Sequence, residues 1–140
     1  MGINVEIPYS PRTLQDELHG AWSEHRYSVA ITHRRFGKTV SVINHLIRDA
    51  LKTQKDNARF HLLSPTFRQA KSVSWDYLKN FSAGIPGVRF NESELRADYP
   101  NGSRIALLSA ENGGQGIRGI YSDGFFVDEA GMISETIFPE

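Results

Sequence analysis

The sequence predicts an α/β fold, a mostly parallel sheet flanked by helices, and three observations carry that expectation. Short apolar runs alternate with stretches of helical periodicity along the 140 residues. One run, Tyr27 to Ile31, leads through a basic turn ending Gly37-Lys38-Thr39 straight into an amphipathic segment. Another, Gly124-Phe125-Phe126-Val127, ends on the acids Asp128 and Glu129.

Size and composition set the frame. A chain of 140 residues with 39% hydrophobic and 23% charged residues is one domain's worth and can bury a core. Formal net charge is zero, so no global basic field marks a nucleic-acid surface. The cations are 11 Arg against 5 Lys, which favours local bidentate grips on phosphate or carboxylate. The absence of cysteine excludes disulfides, Cys-ligated zinc and a thiol nucleophile. No run approaches the ~18 apolar residues of a membrane span, and no basic-then-apolar leader opens the chain, so a reducing cytoplasm is the expected compartment.

The elements follow in order. Ser10 can cap and Pro11 can start a helix to about Glu24, with Leu14, Leu18, Ala21 and Trp22 on one face. Residues 27–31 read as a buried strand. Val40, Ile43, Leu46, Ile47, Ala50 and Leu51 recur at helical spacing, with Asn44, His45, Arg48 and Lys52 turned elsewhere. Arg59 to Leu63 is the next strand. Ser64-Pro65-Thr66 ends it and opens a helix to about Asn80, with Ala70, Val73, Tyr77 and Leu78 inward. After a loop at 83–87 come short strands near 88–90 and 95–98, a turn at Pro100-Asn101-Gly102, and a strand over 105–108. Residues 112–119 are glycine-rich, and 124–127 form the last strand. Trp22, Trp75 and Tyr77 read as core, and the five histidines have no metal-ligand spacing.

Two motifs carry chemistry. Thr32-His33-Arg34-Arg35-Phe36-Gly37-Lys38-Thr39 has the ending of a phosphate-cradling loop, with Thr32 where the usual pattern opens on glycine. Gly37 allows close backbone approach, Lys38 reaches the β- and γ-phosphates of ATP, Thr39 ligates Mg²⁺, and the helix start adds oriented N–H groups. Asp128 can hold Mg²⁺ and Glu129 can deprotonate an attacking water, both at the carboxyl edge of the sheet. Taken singly, each half has a plainer reading, as a solvated basic turn or a pair of helix-start acids. Together and in this order they predict one Mg–ATP site.

These residues resemble the large terminase subunit of tailed bacteriophages, the ATPase that pumps DNA into capsids. The resemblance rests on Tyr9-Ser10-Pro11-Arg12 with Gln15, on HRRFGKT, on Ser64-Pro65-Thr66-Phe67-Arg68-Gln69-Ala70, on Ile117-Arg118-Gly119 and on Phe126-Val127-Asp128-Glu129-Ala130. In that family the first loop glycine is commonly replaced and an arginine stands inside the loop. The resemblance implies a P-loop NTPase of the additional-strand (ASCE) type. It implies that Gln15 reads adenine, the alternative being a polar residue on a helix surface. Arg34, within the loop, and Arg118, in a glycine-rich segment, would neutralise charge on the transferred phosphoryl group, Arg118 from a neighbouring subunit. A plain surface loop is the alternative for Arg118. The complete motor would work on double-stranded DNA with a portal protein and a small terminase subunit, as a homo-oligomeric ring in the bacterial host cytoplasm.

The resemblance further implies a coupling segment and an RNase H-like nuclease domain after the acids. Residues 1–140 hold neither and read as a single ATPase domain. The expectation is a fragment whose sheet lacks its middle strand and which binds and hydrolyses ATP poorly alone. The rival readings are a superfamily-2 helicase-like translocase, disfavoured because Ala130-Gly131 breaks the Asp-Glu-Ala-Asp box, and a non-catalytic module docking other motor or capsid subunits.

Overall fold

The structure, a computed structural model, describes residues 6–32, 36–111, 117 and 119–133. Helices α1 (Thr13–Glu24) and α2 (Lys38–Lys52) precede strand β1 (Arg59–Ser64). A composite helix follows, made of α3 (Phe67–Gln69), a π-helical turn (Ala70–Ser74) and α4 (Trp75–Ser82). Strands β2 (Arg89–Asn91), β3 (Arg96–Asp98), β4 (Arg104–Ser109) and β5 (Gly124–Val127) complete one sheet in the order β2-β3-β4-β1-β5.

β1 is the axis of that sheet. It pairs in parallel with β4 from Arg59↔Arg104 to Ser64↔Ser109 and with β5 from Phe60↔Gly124 to Leu63↔Val127. The β2–β3 and β3–β4 pairs are antiparallel, so the expected largely parallel sheet is in fact mixed. The cause is local. The turn at Pro100-Asn101-Gly102, closed by Tyr99 N–H to Ser103 O at 2.8 Å, returns β3 into β4. The turn after Asn91, whose Oδ1 accepts from the Ser93 and Glu94 N–H groups, returns β2 into β3. Strands so returned can only pair antiparallel.

α2 lays Ile43, Leu46, Ile47 and Ala50 on the sheet against Phe60, Leu62, Ile105 and Leu107, and all but Phe60 and Leu107 are fully sealed from solvent. Each of the fully buried leucines and isoleucines contributes roughly 1.5–3 kcal/mol. Gly124, opposite Phe60 in the ladder, leaves room for the Phe60 ring, since a Cβ there would stand 2.7 Å from it. Trp75 and Leu78 seal the other end of this core. The π-turn widens the helical period, so the buried positions run Ala70, Ser74, Leu78, Ser82 at steps of four. Val73 and Tyr77, expected inside, are therefore 45% and 37% exposed.

Two further expectations are corrected. On α1 the buried residues are the polar Gln15 and His19, while Leu14 is 54% exposed, because the face toward α2 meets backbone carbonyls and His45 rather than an apolar surface. Residues 27–31 form no strand: Tyr27, Val29 and Ile31 are 82%, 89% and 95% exposed. Their alternation suits a strand with a neighbour, and among the described residues none pairs with it. Instead a groove of about 640 Å³ separates Val29 and Ala30 from the outer edge of β5.

α1 is held to α2 by a chain of polar contacts. The Tyr9 hydroxyl lies 2.8 Å from His19 Nε2, the two Nδ1 atoms of His19 and His45 are 3.0 Å apart, and His45 Nε2 is 3.4 Å from Asp49. One assignment with both imidazoles neutral satisfies all three. Tyr9 donates to His19, His19 Nδ1–H to His45, and His45 Nε2–H to Asp49. A proton on His45 Nδ1 would face the His19 N–H and the Arg48 guanidinium, which is 3.3 Å away. Burial, with Arg48 and His19 nearby, lowers His45 to about 4, and burial likewise lowers His19.

A group whose folded pKa lies below its unfolded value takes up protons on unfolding. Stability from His45 is therefore complete above about pH 6.5 and drains away toward about pH 4. The expected slope is up to about 1.4 kcal/mol per pH unit for one group. Urea unfolding at several pH values should show it, and His45→Phe, which keeps the ring contacts to Trp22 and Phe126, should flatten it. Superimposable profiles would contradict the neutral chain.

Candidate functional site

The two motifs meet at the carboxyl end of the parallel strands. α2 begins at Lys38, immediately after Gly37, whose backbone is left-handed at φ 86° and ψ 32°. β5, held by β1, ends at Val127 and delivers Asp128, whose N–H bonds Leu63 O at 2.9 Å. The Thr39 hydroxyl donates to Asp128 Oδ2 at 2.8 Å, joining residues 89 apart in sequence. Asp128 Oδ1 accepts from the Glu129 N–H at 3.0 Å. Lys38, Asp128 and Glu129 all line the groove beside β5.

Glu129 is exposed and sits at φ 52°, ψ 47°, a left-handed conformation that a non-glycine residue adopts at a cost of about 1–2 kcal/mol. The turn swings the chain off β5 into a 3₁₀ turn over Ala130–Met132, for which no acid side chain acts as a cap. Strain of this kind concentrates where a side chain must be aimed. A hydroxyl and a carboxylate together are a hard-oxygen donor pair of the sort magnesium takes, so Thr39 and Asp128 fit that ion. Among the described residues no cluster of three His, Cys, Asp or Glu could hold a metal.

The loop side is organised from α1. Gln15, 5% exposed, donates through Nε2 to Gly37 O at 3.1 Å and accepts the Arg12 N–H on Oε1 at 3.0 Å. The Arg12 guanidinium donates to Phe36 O. Phe36 is buried, and a cavity of about 260 Å³ opens beside it, walled by Arg12, Thr13, Leu14 and Gln15. Thr32 is half-buried, its hydroxyl without a hydrogen-bond partner among the described residues. His33, Arg34, Arg35 and Arg118 lie outside the described residues. Arg12 and Ser41 received no role from the sequence, although Ser41 Oγ also donates to Gly37 O at 2.9 Å. The three-residue interval from Arg12 to Gln15 at a helix start was the available sign for the first. Ser41 gave none.

An α/β chain with a Gly-Lys-Thr helix start hydrogen-bonded to an acid at a strand end belongs to a narrow class, and comparison with known families makes it narrower. Residues 31–138 match the family model described as terminase large subunit, T4likevirus-type, N-terminal. The match covers more than half of the chain, which therefore belongs to that family, as the motifs led us to expect. Membership supports a role in a phage terminase, whose family generally works with DNA and packaging partners, and favours neither the helicase-like nor the docking-module reading. No curated protein matches the chain. Among the described residues no helix is long and apolar enough to cross a membrane.

The strain at Glu129 predicts that Glu129→Gly leaves thermal stability unchanged or higher by up to about 1 kcal/mol, since glycine adopts positive φ freely. Glu129→Val should lose at least about 1 kcal/mol, because a β-branched side chain tolerates that backbone least. Equal melting temperatures for the two variants would show that the left-handed turn is not held in solution.

Proposed function

We propose that the chain is the ATP-binding and hydrolysing part of a terminase large subunit, a P-loop NTPase of the additional-strand type that powers packaging of double-stranded DNA. The single observation that supports this best is the 2.8 Å bond from Thr39 to Asp128, which brings the cationic helix start and the paired acids to one place. In this reading Lys38 binds the β- and γ-phosphates, and the N–H groups at the start of α2 receive phosphate oxygens. Thr39 and Asp128 hold Mg²⁺, which when bound neutralises charge on the phosphates. Glu129, exposed at the groove, takes the proton of the attacking water.

Gln15 and the cavity beside Phe36 are proposed to receive the adenine, and Thr32, His33, Arg35, Phe36 and Gly37 to wrap the phosphates with Lys38 and Thr39. Arg34 and Arg118 are proposed, on the family resemblance, to neutralise charge at the γ-phosphate. The partners proposed for the complete motor are double-stranded DNA, a portal protein, a small terminase subunit and further copies of the chain in a ring, in the host cytoplasm.

Equilibrium binding of a non-hydrolysable ATP analogue with Mg²⁺ tests the reading. Lys38→Ala should weaken it by at least about tenfold, the loss of one charge-assisted contact. Glu129→Gln should hold affinity within about twofold and cut whatever hydrolysis the wild type shows by at least about a hundredfold. Unchanged affinity in Lys38→Ala, or undiminished turnover in Glu129→Gln, would refute it.

A further inference from the structure

The carbonyls of Phe36 and Gly37 both accept from side chains at the start of α1, and that of Gly37 also from the first turn of α2. Phe36 O accepts from the Arg12 guanidinium, and Gly37 O accepts from Gln15 Nε2 at 3.1 Å as well as from Ser41 N–H at 3.0 Å and Ser41 Oγ at 2.9 Å. Three donors on one carbonyl exceed its two lone pairs, so its direction is over-determined. A trans peptide is planar, with its N–H opposed to its C=O. No cis peptide interrupts this segment. Holding those two carbonyls on Arg12, Gln15 and Ser41 therefore holds the Gly37 and Lys38 N–H groups facing the opposite way, out of the start of α2, where the proposed phosphates would lie.

Gln15 can approach this closely only because residue 37 is glycine: a Cβ there would stand 2.4 Å from Gln15 Nε2 and 3.1 Å from the Arg12 guanidinium. The φ of 86° at Gly37 demands the same residue independently. Both polar atoms of the Gln15 amide are engaged within the chain, Oε1 by the Arg12 N–H and Nε2 by Gly37 O. Its geometry is that of a strut on the loop before any base arrives.

We infer that Gln15 and Arg12 are positioning residues that set the two peptide planes preceding Lys38, and so aim the phosphate-binding N–H groups whether or not a base is bound. The inference deepens the nucleotide-site reading above and rests on it for the identity of the ligand. Base reading alone and loop positioning make opposite predictions for a ligand with phosphates and no base.

Inorganic tripolyphosphate is that ligand. With Mg²⁺ and at a temperature well below unfolding, Gln15→Ala should weaken tripolyphosphate and ATP alike, by about five- to tenfold each, as expected for one lost hydrogen bond. A loss confined to ATP, with tripolyphosphate binding unchanged, overturns the inference. Amide hydrogen exchange gives a second readout that needs no ligand. The Ser41 amide, bonded to Gly37 O, should exchange at least about fivefold faster in Gln15→Ala and in Gln15→Glu, which retains the acceptor for Arg12 but not the donor. The Leu62 and Leu63 amides in the core should be unchanged, showing that the fold is intact. Unaltered Ser41 exchange in both variants overturns the strut. Wild-type protein that binds neither ATP nor tripolyphosphate would remove the nucleotide reading, and the exchange result would still decide whether α1 holds the loop.

Discussion

The hydrogen bond between Thr39 and Asp128 is where the fold and the proposed chemistry meet. Neither residue can choose its position. Thr39 is fixed in the first turn of α2, whose apolar face is sealed onto the sheet through Ile43, Leu46 and Ile47. Asp128 is fixed by β5, which exists only as a partner of β1. A 2.8 Å contact between two such rigid supports records how closely helix start and strand end are matched. It also leaves a hydroxyl and a carboxylate side by side, the kind of oxygen pair that can exchange its mutual bond for a shared hard cation.

Around that contact the molecule is organised by polar groups that point inward. The N-terminal segment and α1 contribute Arg12, Gln15 and His19, each touching either the backbone before α2 or a buried partner on α2, and Tyr9, which bonds His19. The neutral histidine chain fixes the spacing of the two helices, and Gln15 and Arg12 use that spacing to reach the carbonyls of Phe36 and Gly37. Family membership gives this arrangement a setting, the large subunit of a phage terminase. The groove outside β5 is the complementary feature. Lys38, Asp128 and Glu129 stand at it, and Val29 and Ala30 form its far wall.

Much of this was legible in the residues, and the failures share a cause. α2, β1, β4 and β5 carry strong periodicity or β-branched and aromatic runs, and the acids fell at the strand end where the pattern put them. Position-specific partners were invisible. Leu14 turned outward because the surface facing Gln15 and His19 of α1 is made of a carbonyl and a histidine, which no hydropathy pattern on α1 reports. Val73 and Tyr77 turned outward because one π-turn changed the helical phase. Residues 27–31 have the composition of a buried strand but no pairing partner among the described residues, and strand propensity is realised only against a neighbour. The mixed sheet follows from two tight turns, residues 92–95 and the three-residue turn Pro100-Asn101-Gly102, of which the second is signalled by Asn101-Gly102. Of the candidate site, Lys38, Thr39, Asp128 and Glu129 were found by motif, whereas the support from Arg12 and Ser41 needed coordinates.

The most direct test of the central juxtaposition uses a paramagnetic ion in place of magnesium. With isotopically labelled protein and substoichiometric Mn²⁺–ATP, nuclear relaxation detects even a sparsely filled site. The account predicts broadening of the backbone signals of both Thr39 and Asp128, with the same dependence on manganese, and its reversal by excess Mg²⁺–ATP. Broadening at one of the two with the other sharp would mean that no single ion sits between helix start and strand end, and the account would fail.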